Sequence, residues 1–131
     1  QYSERTRLYE MFATLQATIR RLAGDGPAVF IGRCSTDALS GKNGSPRALR
    51  VFIYASDLEK RCAHVMQTEQ VGESEARRMM RRKDKEREQY FRYFTQKNWG
   101  DRANYDLQLN TSAISAQRCA ELLAELARAG N

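Results

Sequence analysis

No stretch of this 131-residue chain approaches the roughly 18 consecutive apolar residues that a bilayer-spanning helix requires. Nor does its start join positive charge to an apolar run, the mark of a secretory signal. Cysteine and histidine are scarce: Cys34, Cys62 and Cys119 are odd in number and far apart, no CxxC pair occurs, and the one histidine, His64, has no sequence partner. Those spacings exclude a zinc site and a disulfide framework, and free thiols in a reducing cytosol fit them best. No internal repeat or long low-complexity segment is visible, and the length leaves room for one domain with a modest core. The expectation is a single soluble, cytoplasmic domain with no membrane partner and no resident metal of its own.

What is present is charge of one sign, unevenly placed. The chain carries a net +6 with an isoelectric point near 9.5, which calls for an anionic partner. Between Arg77 and Arg92 stand eight basic and three acidic residues, a net +5, so the rest of the chain is nearly neutral. A protein coating duplex nucleic acid spreads its basic residues along a face, whereas a small anion needs one concentrated cluster. The distribution favours the small anion over nucleic acid.

Periodicity orders the chain into elements. Leu8, Met11, Phe12, Leu15, Ile19 and Leu22 recur at helical spacing and predict a helix from Ser3 to Ala23, ended by Gly24, Gly26 and Pro27. Ala28-Val29-Phe30-Ile31 is a short continuous apolar run, the pattern of a strand buried on both faces. Ser40 to Pro46 is a turn, and Leu49 to Ala55 reads as a second strand. Ser56 with Glu59 forms a capping-box pattern ahead of a helix over 57–68. A further helical stretch opens near Gly72 and Ser74, buries Ala76, Met79 and Met80, and then runs into nine polar residues, Arg81 to Gln89, that nothing apolar anchors. Tyr105 to Asn110 alternates as a third strand, and Ser115 caps a last helix. This order predicts an α/β fold of helices layered around a small, mostly parallel sheet.

An arginine at the end of a buried strand, as at Gly32-Arg33, lies where open α/β sheets bind ligands; it is equally a plain surface charge. Tyr90, Phe91, Tyr93 and Phe94 fit a core more readily than a base-stacking platform. The one glycine-lysine turn, Ser40-Gly41-Lys42-Asn43-Gly44-Ser45, is not a phosphate loop: GxxxxGK[ST] needs glycine at Thr36 and Ser or Thr at Asn43.

Taken in series, "VFIGRC", "LRVFIYASDLEKRCAHVM" and "RRKDKEREQYFRYFTQKNWGDRANYDLQLNTS" resemble the cytidylate kinase-like family in order and spacing. The sharpest part is Asp84 and Arg87 as D-x-x-R, the aromatic run to Thr95, Trp99-Gly100-Asp101, and Tyr105-Asp106-Leu107 leading to Asn110-Thr111. The resemblance implies a P-loop NTPase-like three-layer α/β/α fold, here incomplete at its N-terminus, so that residues 1–131 form a single partial domain. It implies an arginine-rich helical lid over about 72–95. It also implies ATP and Mg²⁺ as cofactors and a nucleoside monophosphate such as CMP or dCMP as substrate. On the matching positions, Arg33, Asp84 and Arg87 would hold the monophosphate, Arg87, Arg81 and Arg82 would act on the transferred phosphoryl group, and Arg61 would face ATP. A rival reading is a non-catalytic nucleotide- or RNA-binding module built on the same fold. The oligomeric state stays open.

Overall fold

The computed structural model describes residues 2–42 and 46–129. Asn43 to Ser45, half of the glycine-lysine turn, lie outside the described residues. The elements are α1 (Tyr2–Asp25), α2 (Ser35–Ala38), β1 (Val51–Tyr54), α3 (Leu58–Glu69), α4 (Glu73–Thr95), β2 (Leu107–Asn110) and α5 (Ala116–Arg128), with a 3-10 turn at Arg102–Asn104. β1 and β2 form a two-stranded parallel sheet with Val51 opposite Leu107 and Tyr54 opposite Asn110. Parallel strands require a long crossover, and α3 and α4 supply it. The chain is therefore α/β, as its pattern predicts, with two strands among the described residues where three were expected.

The missing strand is the 28–31 run. Val29 and Ile31 are 89% and 90% exposed, and only Phe30 turns inward, against the cluster of Ile19, Ala38 and Leu39. Apolar sequence alone does not make a strand. Its backbone donors and acceptors need a partner ladder, and no described strand lies beside this one. The helix ahead of it is also shallower than its stripe suggests: Ile19 is buried, while Leu8, Met11 and Leu22 are 43%, 62% and 44% exposed.

α1 is held instead by rings. Phe12 stacks on Phe94 with centroids 4.4 Å apart, and Tyr9 stacks on Tyr93 at 5.6 Å. The aromatic run of α4 is thus the seat of α1. A second small core, Cys62, Ala76 and Met80 with Val65, Met66 and Val71 around it, joins α3 to α4.

The helix starts show one substitution of roles. Asp57, not Ser56, caps α3, its Oδ1 accepting from the Lys60 backbone N–H at 3.1 Å. Ser56 Oγ accepts from Asn110 Nδ2 at 2.8 Å, and Glu59 accepts from Arg77 Nη2 at 2.8 Å rather than folding back on the helix start. A cross-chain guanidinium outcompetes a backbone amide for that carboxylate because the bond is charge-assisted on both sides. Ser115 caps α5 as expected, accepting from the Arg118 N–H at 3.2 Å.

At the opposite end of the sheet Asp106 pins the two strand starts together. It accepts from the Arg50 backbone N–H at 2.8 Å and from Arg50 Nε and Nη2 at 3.3 and 3.1 Å. The Arg50 side-chain bond, opposed by partial burial and helped by the backbone bond, holds the Asp106 carboxyl below its ordinary range. A depressed folded value means the stabilisation is present above the unfolded carboxylate range near 4 and is lost as pH falls through the lower folded value. The urea midpoint is therefore expected to drop on acidification below about pH 4, and Asp106→Asn to lose about 1–3 kcal/mol at neutral pH with a flatter acid limb. An unchanged acid limb in the variant would assign the drop to other carboxylates.

Candidate functional site

The C-terminal ends of the strands are stitched across. The Thr111 backbone N–H and its hydroxyl both donate to the Tyr54 carbonyl, at 2.8 and 3.1 Å. The Ser56 and Asp57 backbone N–H groups donate to Asn110 Oδ1 at 3.2 Å and to Ser112 Oγ at 2.9 Å. This fixes where α3 leaves β1. Asn110, Thr111 and Ser112 carry that job, which nothing in their spacing announces. Trp99 and its neighbours act from the side: the Trp99 ring meets Phe52 edge-on at 5.3 Å, and Tyr105 lies 4.9 Å from Phe52. Gly100 sits at φ +84°, where a Cβ would come 3.4 Å from the Phe52 ring. Its N–H donates to the Tyr105 hydroxyl at 3.3 Å. Burial, first among its causes, raises the Tyr105 phenol above its ordinary value.

Arg61, one turn into α3, therefore stands just beyond the strand C-termini, the region where open α/β sheets take ligands. From α4, Asp84 meets it: Arg61 Nη2 donates to Asp84 Oδ1 at 3.1 Å, and Arg87 Nη1 donates to the same oxygen at 3.3 Å. Asp84 and Arg87 continue the α4 face that buries Ala76, Met80 and Phe91, since residues three and four apart share a face. The polar stretch 81–89 is thus one continuous helix with the rest of α4, tied down by charge where apolar anchors are lacking. Nearer the hairpin turn Arg77 bridges Glu59 and Glu73. The Glu59 hydrogen bond and then the Glu73 one push its guanidinium further above its ordinary value.

The remaining arginines stand apart from this trio. Arg81, one turn before Asp84, is exposed and forms no hydrogen bond or ion pair among the described residues. Arg82 pairs with Glu86 at 3.9 Å with more than half of its side chain exposed. At about 100° per residue it lies on the far side of α4 from Asp84.

Arg33 is exposed on the turn after 28–31, and no hydrogen bond or ion pair joins it to the trio. Its backbone carries a different signal. Gly32, Arg33 and Cys34 stand at φ 73°, 56° and 57°, three successive left-handed residues of which two have a Cβ. Each such non-glycine residue costs on the order of 1–2 kcal/mol, and such strain gathers at functional turns. The turn is held by the Ser35 N–H donating to the Gly32 carbonyl at 3.1 Å and by buried Gln16 donating to the Cys34 carbonyl at 3.5 Å. Burial, and then the Asp37 charge, push the Cys34 thiol up to about 11. That thiol is inert packing.

A cavity of about 390 Å³ lies elsewhere, at the start of β1, lined by Asp37, Arg50, Phe91, Lys97, Asn98 and Asp101 among others. None of Arg33, Arg61, Asp84 or Arg87 lines it. Its strongest cations are already engaged, Lys97 with Asp37 at 2.7 Å and Arg50 with Asp106 at 3.1 Å. The trio sets two guanidinium groups against a single carboxylate.

A family model for the cytidylate kinase-like family matches residues 2–113. This chain belongs to the cytidylate kinase-like family. Membership makes it a kinase-like protein and accounts for the order of its motifs. No curated protein matches the chain. Among solved structures, an uncharacterized protein from Eubacterium ventriosum ATCC 27560 shares 26% identity with a TM-score of 0.73. The match covers 85% of this family member and 61% of that chain, so this chain spans less than two thirds of that protein's length. No described helix is long and apolar enough to cross a membrane.

Among the described residues no group of three or more His, Cys, Asp or Glu side chains is placed to hold a metal ion. Mg²⁺ is commonly bound by one or two carboxylates together with substrate phosphates, and Asp84, the carboxylate of the trio, is engaged by arginines. The GxxxxGK[ST] loop that cradles ATP phosphates does not occur in these 131 residues. What this family member does supply is guanidinium groups gathered beyond the strand ends.

Proposed function

We propose that the complete protein containing this chain is a nucleoside monophosphate kinase that transfers a phosphoryl group from ATP to CMP, dCMP or a similar monophosphate in the cytoplasm. One observation carries the reading beyond family membership: Arg61 of α3 and Arg87 of α4 converge on a single oxygen of Asp84 just beyond the strand C-termini. Phosphoryl transfer asks a protein mainly for in-line placement, exclusion of water and positive charge where the transition state spreads its negative charge. Arginine suits that task because its planar fork makes paired bonds to phosphate oxygens and stays charged at any working pH.

In this reading Arg33, Asp84 and Arg87 face the monophosphate, Arg87 with Arg81 stabilises the transferring group, and Arg61 faces ATP; Arg82, on the far side of α4 from Asp84, joins Arg87 only if the arm turns as it closes. The helix over 73–95 is the arm that closes, and the domain is a partial version of a three-layer P-loop NTPase-like fold. The GxxxxGK[ST] loop that would cradle the ATP phosphates does not occur in these 131 residues. The left-handed turn at 32–34 supports the Arg33 assignment, since strain is maintained where geometry matters.

Labelled ATP offered with CMP, dCMP, UMP and AMP to the complete natural reading frame tests this. The expected result is selective labelling of CMP or dCMP. No transfer to any monophosphate would leave a second reading, a non-catalytic nucleotide- or RNA-binding module, which the positive charge concentrated between Arg77 and Arg92 favours. Binding to single-stranded RNA with a steep salt dependence would then distinguish it from saturable binding of one mononucleotide.

A further inference from the structure

The trio is short of negative charge. Two guanidinium groups, on Arg61 and Arg87, share one carboxylate oxygen of Asp84. Asp84 stands between Lys83 and Lys85, neither of which forms an ion pair among the described residues. One monovalent carboxylate against two forked cations leaves an unbalanced positive charge. A phosphate dianion offers the second charge and enough oxygens to serve both forks at once. The bonds it would have to displace are weak: the Asp84 side chain is 35% exposed, Arg61 29% and Arg87 59%, and ion pairs of that exposure contribute little.

The same contact has a mechanical consequence. Within the polar stretch 81–89, the Arg61–Asp84 bond is the ion pair that reaches from α4 to α3; the pairs of Arg82 and Arg87 stay within α4. The buried apolar cluster that joins the two helices reaches along α4 as far as Met80.

We infer that Asp84 is a built-in counter-anion, which holds Arg61 and Arg87 in the ligand-free protein and yields them to a phosphate dianion, so that anion binding exchanges the direct Arg61–Asp84 link between α3 and α4 for one through the anion. This deepens the kinase reading for the same residues but does not need transfer to occur. It differs from a role for Asp84 as a direct contact to the nucleotide, since a contact residue helps the ligand and a counter-anion competes with it.

Inorganic phosphate titrated into the complete protein by calorimetry separates the two. Asp84→Asn is expected to bind phosphate about fivefold more tightly than the unaltered protein, the gain on removing competing part-exposed ion pairs. Phosphate should also raise the melting temperature of the variant by more than that of the unaltered protein. Both gains should vanish when Arg61 and Arg87 are alanine, because coupling is then absent. Unchanged or weaker phosphate binding by Asp84→Asn overturns the inference. Should that variant not fold, spin labels at Ala63→Cys and Glu88→Cys, both exposed sites, report the link with Asp84 intact. Phosphate is expected to shift or broaden their distance distribution, and an unmoved distribution at saturating phosphate overturns the idea. Transfer to CMP with unchanged phosphate affinity in Asp84→Asn would remove the counter-anion alone. The expected affinity gain without any transfer by the complete protein would remove the kinase reading alone.

Discussion

Arg87→Ala in the complete protein is expected to lower the turnover of phosphoryl transfer by roughly 10³-fold, the scale on which a transition-state arginine acts. The reason is geometric. Arg61 and Arg87 reach the same Asp84 oxygen from two different helices, so a phosphoryl group taking the place of that carboxylate would meet both forks. The substitution should leave the melting temperature nearly unmoved, because the Arg87 side chain is 59% exposed and its i,i+3 pair contributes little to stability. A lost rate with an unchanged melt therefore points to chemistry and not to folding. A rate within a fewfold of the unaltered protein would take Arg87 out of the mechanism and shift attention to Arg81, which stands one turn from Asp84 without a partner.

Phe94→Ala is expected to cost about 2–3 kcal/mol, below the roughly 3–5 kcal/mol for a fully buried ring because Phe94 is only partly buried. Phe94 stacks on Phe12 at 4.4 Å, meets Tyr9 edge-on at 5.9 Å, and touches Tyr90 and Tyr93 at 4.9 and 4.8 Å. It thus links α1 to α4 through most of the rings that join them. Because much of α1's own apolar stripe is exposed, few other contacts compensate. Urea denaturation should show the loss, and hydrogen exchange should show α1 losing protection before α3 and α4 do. Equal loss of protection in all three helices would mean that the aromatic seat is part of the global core and not a local anchor.

These two predictions mark different degrees of legibility. The Asp84-Arg87 spacing was readable because both residues lie on one helix, where three positions make neighbours. Arg61 joining them was not, since that contact spans 23 residues and depends on how α3 packs on α4. The aromatic run was readable as core, yet its partner helix was not. At Ser56 the local pattern misled: its hydroxyl went to Asn110, across the sheet, and the adjacent Asp57 took the cap. A capping pattern describes only what is available within a few residues, and a cross-strand amide at 2.8 Å lies outside that view.

The 28–31 run shows the same limit from the other side. Its composition describes a residue set that a parallel sheet would accept, but strand formation is a property of a pair, and the described chain offers it no partner. The three left-handed residues at 32–34 have only one glycine to announce them, so no turn rule finds them. Trp99 and Asn110-Thr111 were visible as motifs, and their work became visible only as contacts to Phe52 and Tyr54.

By itself the sequence determined the α/β class, the places of the four longer helices, the family and the concentration of positive charge between Arg77 and Arg92, because each of these follows from residue type and short-range spacing along one chain. The tertiary structure alone decided which arginines meet, which carboxylate they share and which strands pair, because those contacts close loops of tens of residues and depend on packing between elements that no local pattern encodes.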